Sequence, residues 1–220
     1  NGAELALLEP FREQLPDRVF TQPFVLPKTR GTGGHRDALL RARALLADAG
    51  WTMRHGRLAD PAGQPFEIEF LTLSATDKRT LLPYMDQLRR LGIDSNIRFV
   101  ESAQYMSRLR HYDYDALLRN FGYGFPPGLI FRAYISSQTA NVPSSANLAG
   151  INSSAVDVLL SKMLDARGSE QLIDAGRALD RTLLWGYYLI PIIGRPEPRA
   201  VYWDKFGQPA IEAKYITAFP

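Results

Sequence analysis

A chain of 220 residues with 45% apolar side chains can bury the core of one good-sized domain, or of one domain and part of another. A formal charge of +3, with acids and bases well mixed, argues against a dedicated nucleic-acid surface, which clusters its basic residues. The absence of cysteine excludes a disulfide scaffold, thiol catalysis and cysteine-ligated zinc, and it fits either side of a bacterial inner membrane.

Residues 1–34 read as an irregular connector. Pro10, Pro16, Pro23 and Pro27 interrupt any long helix, and Gly31, Gly33 and Gly34 loosen the approach to the next element. The opening NGAELALLEPF has no basic stretch before a long apolar core, so it does not read as a signal peptide. With no initiator methionine, a mature chain or an excised piece is expected. No apolar run approaches the length of a bilayer span.

Over 35–49, Leu39, Ala42, Leu46 and Ala49 share one helical face, and Gly50 supplies a left-handed stop before Trp51. Asp60, Pro61 and Gly63 signal a turn. Phe66, Ile68 and Phe70 then alternate with Glu67 and Glu69, which predicts a half-buried strand. A helix from about Asp77 carries Leu81, Met85 and Leu88 on one side and ends at Gly92. A second strand is predicted over 93–100, a short helix containing Tyr105, Met106 and Leu109, and a third strand over 112–121. Strands alternating with helices predict an α/β sheet with parallel members. Residues 120–152 read as a long loop rich in Gly, Pro, Ser and Asn, anchored by Phe121, Tyr123, Phe125, Phe131 and Tyr134. Helices over about 153–166 and 170–185 come next, and beyond Pro191 the pattern is strand, turn and extended chain.

Catalytic constellations are scarce. His35, His55 and His111 fall at a helix start, a turn and a helix end, with no metal-ligand spacing. GTGG at 31–34 lacks the preceding strand that a dinucleotide site needs. There is no Gly-x-Ser-x-Gly elbow and no Gly-Lys-Ser or Gly-Lys-Thr phosphate loop. Asp113 and Asp115 lie two apart on the predicted third strand and share a face, which leaves an α/β hydrolytic enzyme as one alternative. Arg36, Arg41, Arg43, Arg89, Arg90, Arg108 and Arg110 lie on predicted helices, which leaves a nucleic-acid-binding regulatory module as another. Asp37, Asp48 and Asp86 break up that basic set, which favours an ordinary polar helix surface.

The best candidate site is the loop after the third strand, Arg119-Asn120-Phe121-Gly122-Tyr123-Gly124-Phe125. Ligands of open α/β sheets gather beyond the carboxyl ends of the strands. Aromatic side chains give rigid walls there, and glycines let a ligand approach the backbone. The competing reading is a loop clamped by those aromatics onto its own domain.

The order of segments resembles the C-terminal part of family 5 extracellular solute-binding proteins, and within them the Yej-type oligopeptide-binding branch. RARALLADAGW with the subsequent PFEIEFLTLS resembles the family's entry into its second lobe. LLPYMDQLRRLGIDSNIRFVESAQYMSRLRHYDYDALLRNFGYG resembles the elements that come next. NLAGINSSAVDVLLSKML resembles the Asn-x-x-Gly-aliphatic-Asn segment and its helix, and RALDRTLLWGYYLIPIIGRPEPRAVYWDKFGQP resembles the closing helix and return strand.

The resemblance implies one lobe of a type II periplasmic-binding-protein fold, with a mixed β-sheet flanked by helices. It implies an extended connector over 1–31 packing on the lobe, the C-terminal substrate-binding lobe over 32–188, and a return segment over 189–220 toward a missing N-terminal lobe. The implied function is non-catalytic: binding a peptide or peptide-like solute in the periplasm for an inner-membrane ABC permease. No cofactor, metal, nucleic acid or membrane span is implied, and the protein is expected to be monomeric. Many family members place an aspartate after the third strand to pair with the ligand's amino terminus. NFGYGFPPG has no acid there, so that clamp does not carry over. What carries over is the loop's position as pocket wall, with Asn120, Phe121, Tyr123 and Phe125 as ligand-binding candidates. Asn147 joins them as the first Asn of the Asn-x-x-Gly segment.

Overall fold

The computed structural model describes residues 2–27, 35–121, 128–192, 203 and 205. They divide between an α/β half and a helical half. In the α/β half, α3 (His35–Asp48) turns Leu39, Ala42 and Leu46 toward the sheet. Gly50 ends it at φ +89°, and Trp51 then stacks on Phe66 at 4.4 Å between ring centroids. The next element is a hairpin that the sequence pattern did not predict. In it β1 (Thr52–Arg54) pairs antiparallel with β2 (Arg57–Ala59) through His55 and Gly56. Both linking residues are left-handed, at φ +51° and +82°, as a two-residue hairpin turn requires.

The sheet proper has three parallel strands. β3 (Glu67–Thr72) runs between β4 (Asp94–Phe99) and β5 (Ala116–Leu117), with Phe70 opposite both Ile97 and Ala116. The connections are α4 (Lys78–Arg90) and α5 (Ser102–Arg110). Strand alternation sends Ile68, Phe70 and Ile97 toward Leu81 and Leu88 of α4 and toward α3. It sends Leu71 and Leu117 into a second cluster with Val100 and with Tyr105 and Leu109 of α5. Parallel pairing in the sheet and antiparallel pairing in the hairpin, with helices on both sheet faces, give the mixed α/β architecture expected.

The helical half centres on α7 (Ser154–Leu164) and α8 (Ser169–Trp185). Val156, Leu159, Leu160 and Met163 of α7 pack on Ala175, Ala178 and Leu179 of α8. Two expectations are corrected here. The connector before residue 32 is not extended throughout: α1 (Gly2–Leu8), a 3-10 turn at Glu9–Phe11 and α2 (Arg18–Thr21) precede chain without regular structure at residues 23–27. Pro10 sits at the start of the 3-10 turn and Pro16 just before α2, positions where a missing N–H interrupts no ladder. The long loop of 120–152 also contains α6 (Ile130–Ile135) and a 3-10 turn at Ser137–Thr139. Ile135 joins the helical core, so burial of its apolar side makes this short helix stable. Most of the predicted strand and turn beyond Pro191 lies outside the described residues.

Two tyrosines tie the halves together. Tyr112 Oη donates to the Val142 carbonyl (3.2 Å) and meets Ser145 Oγ (2.9 Å), while Tyr114 Oη donates to the Leu148 carbonyl (2.8 Å). Burial, with smaller effects from Tyr112 and Tyr105, pushes the Tyr114 phenol up to about 12. An unfolded tyrosine ionises near 10. Between those values the folded state holds more protons than the unfolded one, so stability is full below about pH 10 and falls as pH rises toward 12. Spectrophotometric titration is expected to show one tyrosine ionising near pH 12, and Tyr114→Phe is expected to remove it. A titration in which every tyrosine ionised near 10 would contradict the assignment.

Candidate functional site

Because β3, β4 and β5 are parallel, their carboxyl ends share one edge of the sheet. At the end of β3, buried Thr72 shapes the exit. Its hydroxyl donates to the Asp77 carboxylate (2.6 Å) and accepts from the Ser74 N–H (3.0 Å). Leu73 stands exposed beyond it, and exposed Lys78 and Arg79 open α4. At the end of β4, Phe99 has 52% of its surface exposed. Exposed Glu101 precedes α5. At the end of β5, Arg119 and Asn120 are exposed and Phe121 is half buried. The Phe121 ring meets Tyr134 of α6 edge-on, 5.5 Å between centroids. Tyr123 and Phe125 lie outside the described residues.

Asn147 is fully buried. Its Nδ2 donates to the carbonyls of Ser136 (3.1 Å) and Ile151 (2.9 Å), and its Oδ1 accepts from the Ile151 N–H (2.9 Å). The amide fastens the chain between α6 and α7, so any part it has in binding runs through the shape of that loop. Element order puts the candidates Asn120 and Phe121 beyond the strand ends, where the structure has them. Leu73, Phe99 and Lys78, exposed along the same edge, were not anticipated, because exposure of an apolar or charged residue after a strand depends on which neighbours cover it.

Asp113 and Asp115 do not form the shared carboxylate face expected of them. The paired part of the third strand begins only at Ala116. Asp113 pairs with Arg108 Nε at 2.9 Å, while Asp115 accepts the Glu69 N–H at 2.8 Å. Arg108 also contacts Glu69 at 2.8 Å. Each acid thus has its own structural partner. His111 contacts the Ser107 carbonyl through Nδ1 (2.8 Å), far along the chain from His35 and His55. Among the described residues no group of three or more His, Asp or Glu side chains is arranged to hold a metal ion. No described helix is long and apolar enough to cross a membrane. A cleft of about 340 Å³ opens in the helical half between Leu15, Ser153, Thr182, Trp185 and Tyr188, and none of the strand-end residues lines it.

Residues 15–142 match the bacterial extracellular solute-binding proteins, family 5, in the middle region of that family. The chain belongs to this family of binding proteins. It is 38% identical over 217 residues to protein YejA of Escherichia coli (strain K12), covering 98% of this chain and 36% of that protein. It is 36% identical over 220 residues to "Probable peptide-binding protein YejA" of Agrobacterium fabrum, covering all of this chain and 36% of that protein. The chain therefore spans about a third of the length of the curated relatives it matches. Its fold is similar to the oligopeptide-binding protein AppA of Bacillus subtilis, solved with a nonapeptide. The TM-score is 0.55 and the identity 17%, over 84% of this chain and 40% of that one.

Proposed function

We propose that this chain supplies the C-terminal lobe of a two-lobed periplasmic oligopeptide-binding protein, which passes its solute to an inner-membrane ABC permease without chemical change. The observation that carries this reading is the 36% identity along the whole chain to the Agrobacterium fabrum relative named for peptide binding. Residues 32–188 form the lobe, 1–31 connect to it, and 189–220 return toward the other lobe. The protein acts as a monomer.

The strand ends supply the wall. Asn120 and Phe121 face the solute, Tyr123 and Phe125 are further candidates for contact with it, and Asn147 holds the loop in shape. Exposed Leu73 and Phe99 extend the apolar area along the same edge. Open backbone beyond the strands donates and accepts along an extended peptide, while aromatic rings contribute area with little side-chain entropy to lose.

Mass spectrometry of solutes released from the longer protein, purified without denaturation, tests the proposal. Short peptides or peptide-containing solutes are expected in the wild type. Phe121→Ala is expected to lower their occupancy about five- to tenfold, the scale of one aromatic contact. Recovery of a solute with no peptide bond would contradict peptide binding. Undiminished occupancy in the variant would remove Phe121 from the wall.

A further inference from the structure

Phe121 stands beyond Leu117, the last paired residue of β5, and its ring meets Tyr134 of α6. The place of that ring therefore depends on α6 as well as on the strand it follows. α6 is six residues long, too short to keep its shape without tertiary support. The support comes from the helical half. Ile135 is buried in that core, and Ser137, just past the helix, is tied to α7 by both of its donors. The Ser137 N–H donates to Asp157 Oδ1 at 2.9 Å, and the Ser137 hydroxyl donates to Asp157 Oδ2.

Asp157 is well placed to hold this end. It lies in the first turn of α7, next to buried Val156, so the packing of α7 on α8 fixes its backbone. Both carboxylate oxygens go to one residue of another element. Hydrogen bonds to a carboxylate are shorter and stronger than neutral ones, and a pair of them fixes orientation as well as distance. Tyr134 belongs to the last turn of α6, so a shift at Ser137 carries its ring along. A gap of about 0.5–1 Å already forfeits roughly a quarter to a half of a dispersion contact.

We propose that Asp157 is a positioning residue for the binding wall, acting through Ser137 and Tyr134 to hold the Phe121 ring against the solute. This rests on the reading of Phe121 as part of that wall and goes beyond it by naming the group that sets its place. Packing within the helical half thereby governs the geometry of a site at the edge of the sheet.

The test uses the longer, two-lobed protein with a random pentapeptide library as probe. Peptides retained by each folded variant are quantified by mass spectrometry. Phe121→Ala is expected to lower retention about five- to tenfold, and Asp157→Ala about three- to tenfold. Adding Asp157→Ala to Phe121→Ala is expected to lower retention no further, the signature of two residues acting through one contact. Asp157→Asn keeps an oxygen for the Ser137 N–H and offers an amide to the hydroxyl, so it is expected to recover most of the loss. If Asp157→Ala does not fold, Ser137→Ala, which loses only the hydroxyl bond, replaces it in the cycle with an expected loss of about two- to fourfold. Wild-type retention by Asp157→Ala would overturn the assignment and leave Phe121 in the wall. Losses at Asp157 and Phe121 that multiply would also overturn it, since a purely structural residue acts independently of the ring. Undiminished retention by Phe121→Ala would remove Phe121 from the wall, and this route with it.

Discussion

Arg181→Ala is expected to destabilise the protein by about 3–5 kcal/mol, the usual consequence of leaving one partner of a buried ion pair behind. Arg181 lies on α8 with 17% of its side chain exposed, and its partner Glu4 on α1 has 9% exposed. Nη1 meets the Glu4 carboxylate at 3.1 Å. Nε donates to the Val19 carbonyl, and Nη2 donates to the Gln22 carbonyl at 2.5 Å. One guanidinium therefore fastens α1, α2 and the chain leaving α2 to the helical core. Without it the Glu4 carboxylate loses that charge partner and two carbonyls lose their donor.

Next to this clasp, partial burial and then the Glu4 charge push the Asp180 carboxyl above its ordinary value. Replacing both partners, as Glu4→Leu with Arg181→Met, is expected to recover most of the loss, because neither member of the pair is left behind. Urea unfolding of the single and double variants checks both statements. A single variant within 1 kcal/mol of wild type would show that the clasp does not hold the N-terminal helices in place.

The long elements were legible in the sequence because they carry periodic apolar faces. Leu81, Met85 and Leu88 in α4, and Val156, Leu160 and Met163 in α7, lie where the 3.6-residue period puts them. The alternation of Phe66, Ile68 and Phe70 marked β3 in the same way. Short elements were not legible. α6 is six residues, five of them bulky or β-branched, and only its contact with the helical core decides its shape. The prolines near α1 and α2 read as breaks and turned out to be punctuation between helices. In the hairpin, His55 stands where a turn residue such as Asn would have announced the left-handed backbone.

For the candidate site, the position after the third strand and the choice of Asn120 and Phe121 came from element order. The role of Asn147 depends on carbonyls at Ser136 and Ile151, which only the folded chain brings to it. The acids at 113 and 115 read as a pair because the strand was expected to begin before them. Their separate partners, Arg108 and the Glu69 N–H, come from an adjacent helix and the central strand.

One sheet edge cannot enclose a peptide. In the proposed site, exposed Leu73 and Phe99 and half-buried Phe121 make up one wall only, whereas tight sites bury most of the ligand surface. In the proposed protein the opposite wall belongs to the other lobe, and closing the two supplies the enclosure. An isolated wall gives contacts to one side of the solute while the full entropy of capture is still lost. The single lobe is therefore expected to bind oligopeptides more weakly than about 1 mM, and the longer protein with both lobes at micromolar Kd or better.

Calorimetric titration of both proteins with the same oligopeptide, one found to co-purify with the longer protein, measures this directly. A large heat with micromolar affinity for the two-lobed protein, and none resolved for the 220-residue chain, is the predicted pair of results. Micromolar binding by the 220-residue chain alone would mean that the site is complete within it, and the two-wall account would be wrong.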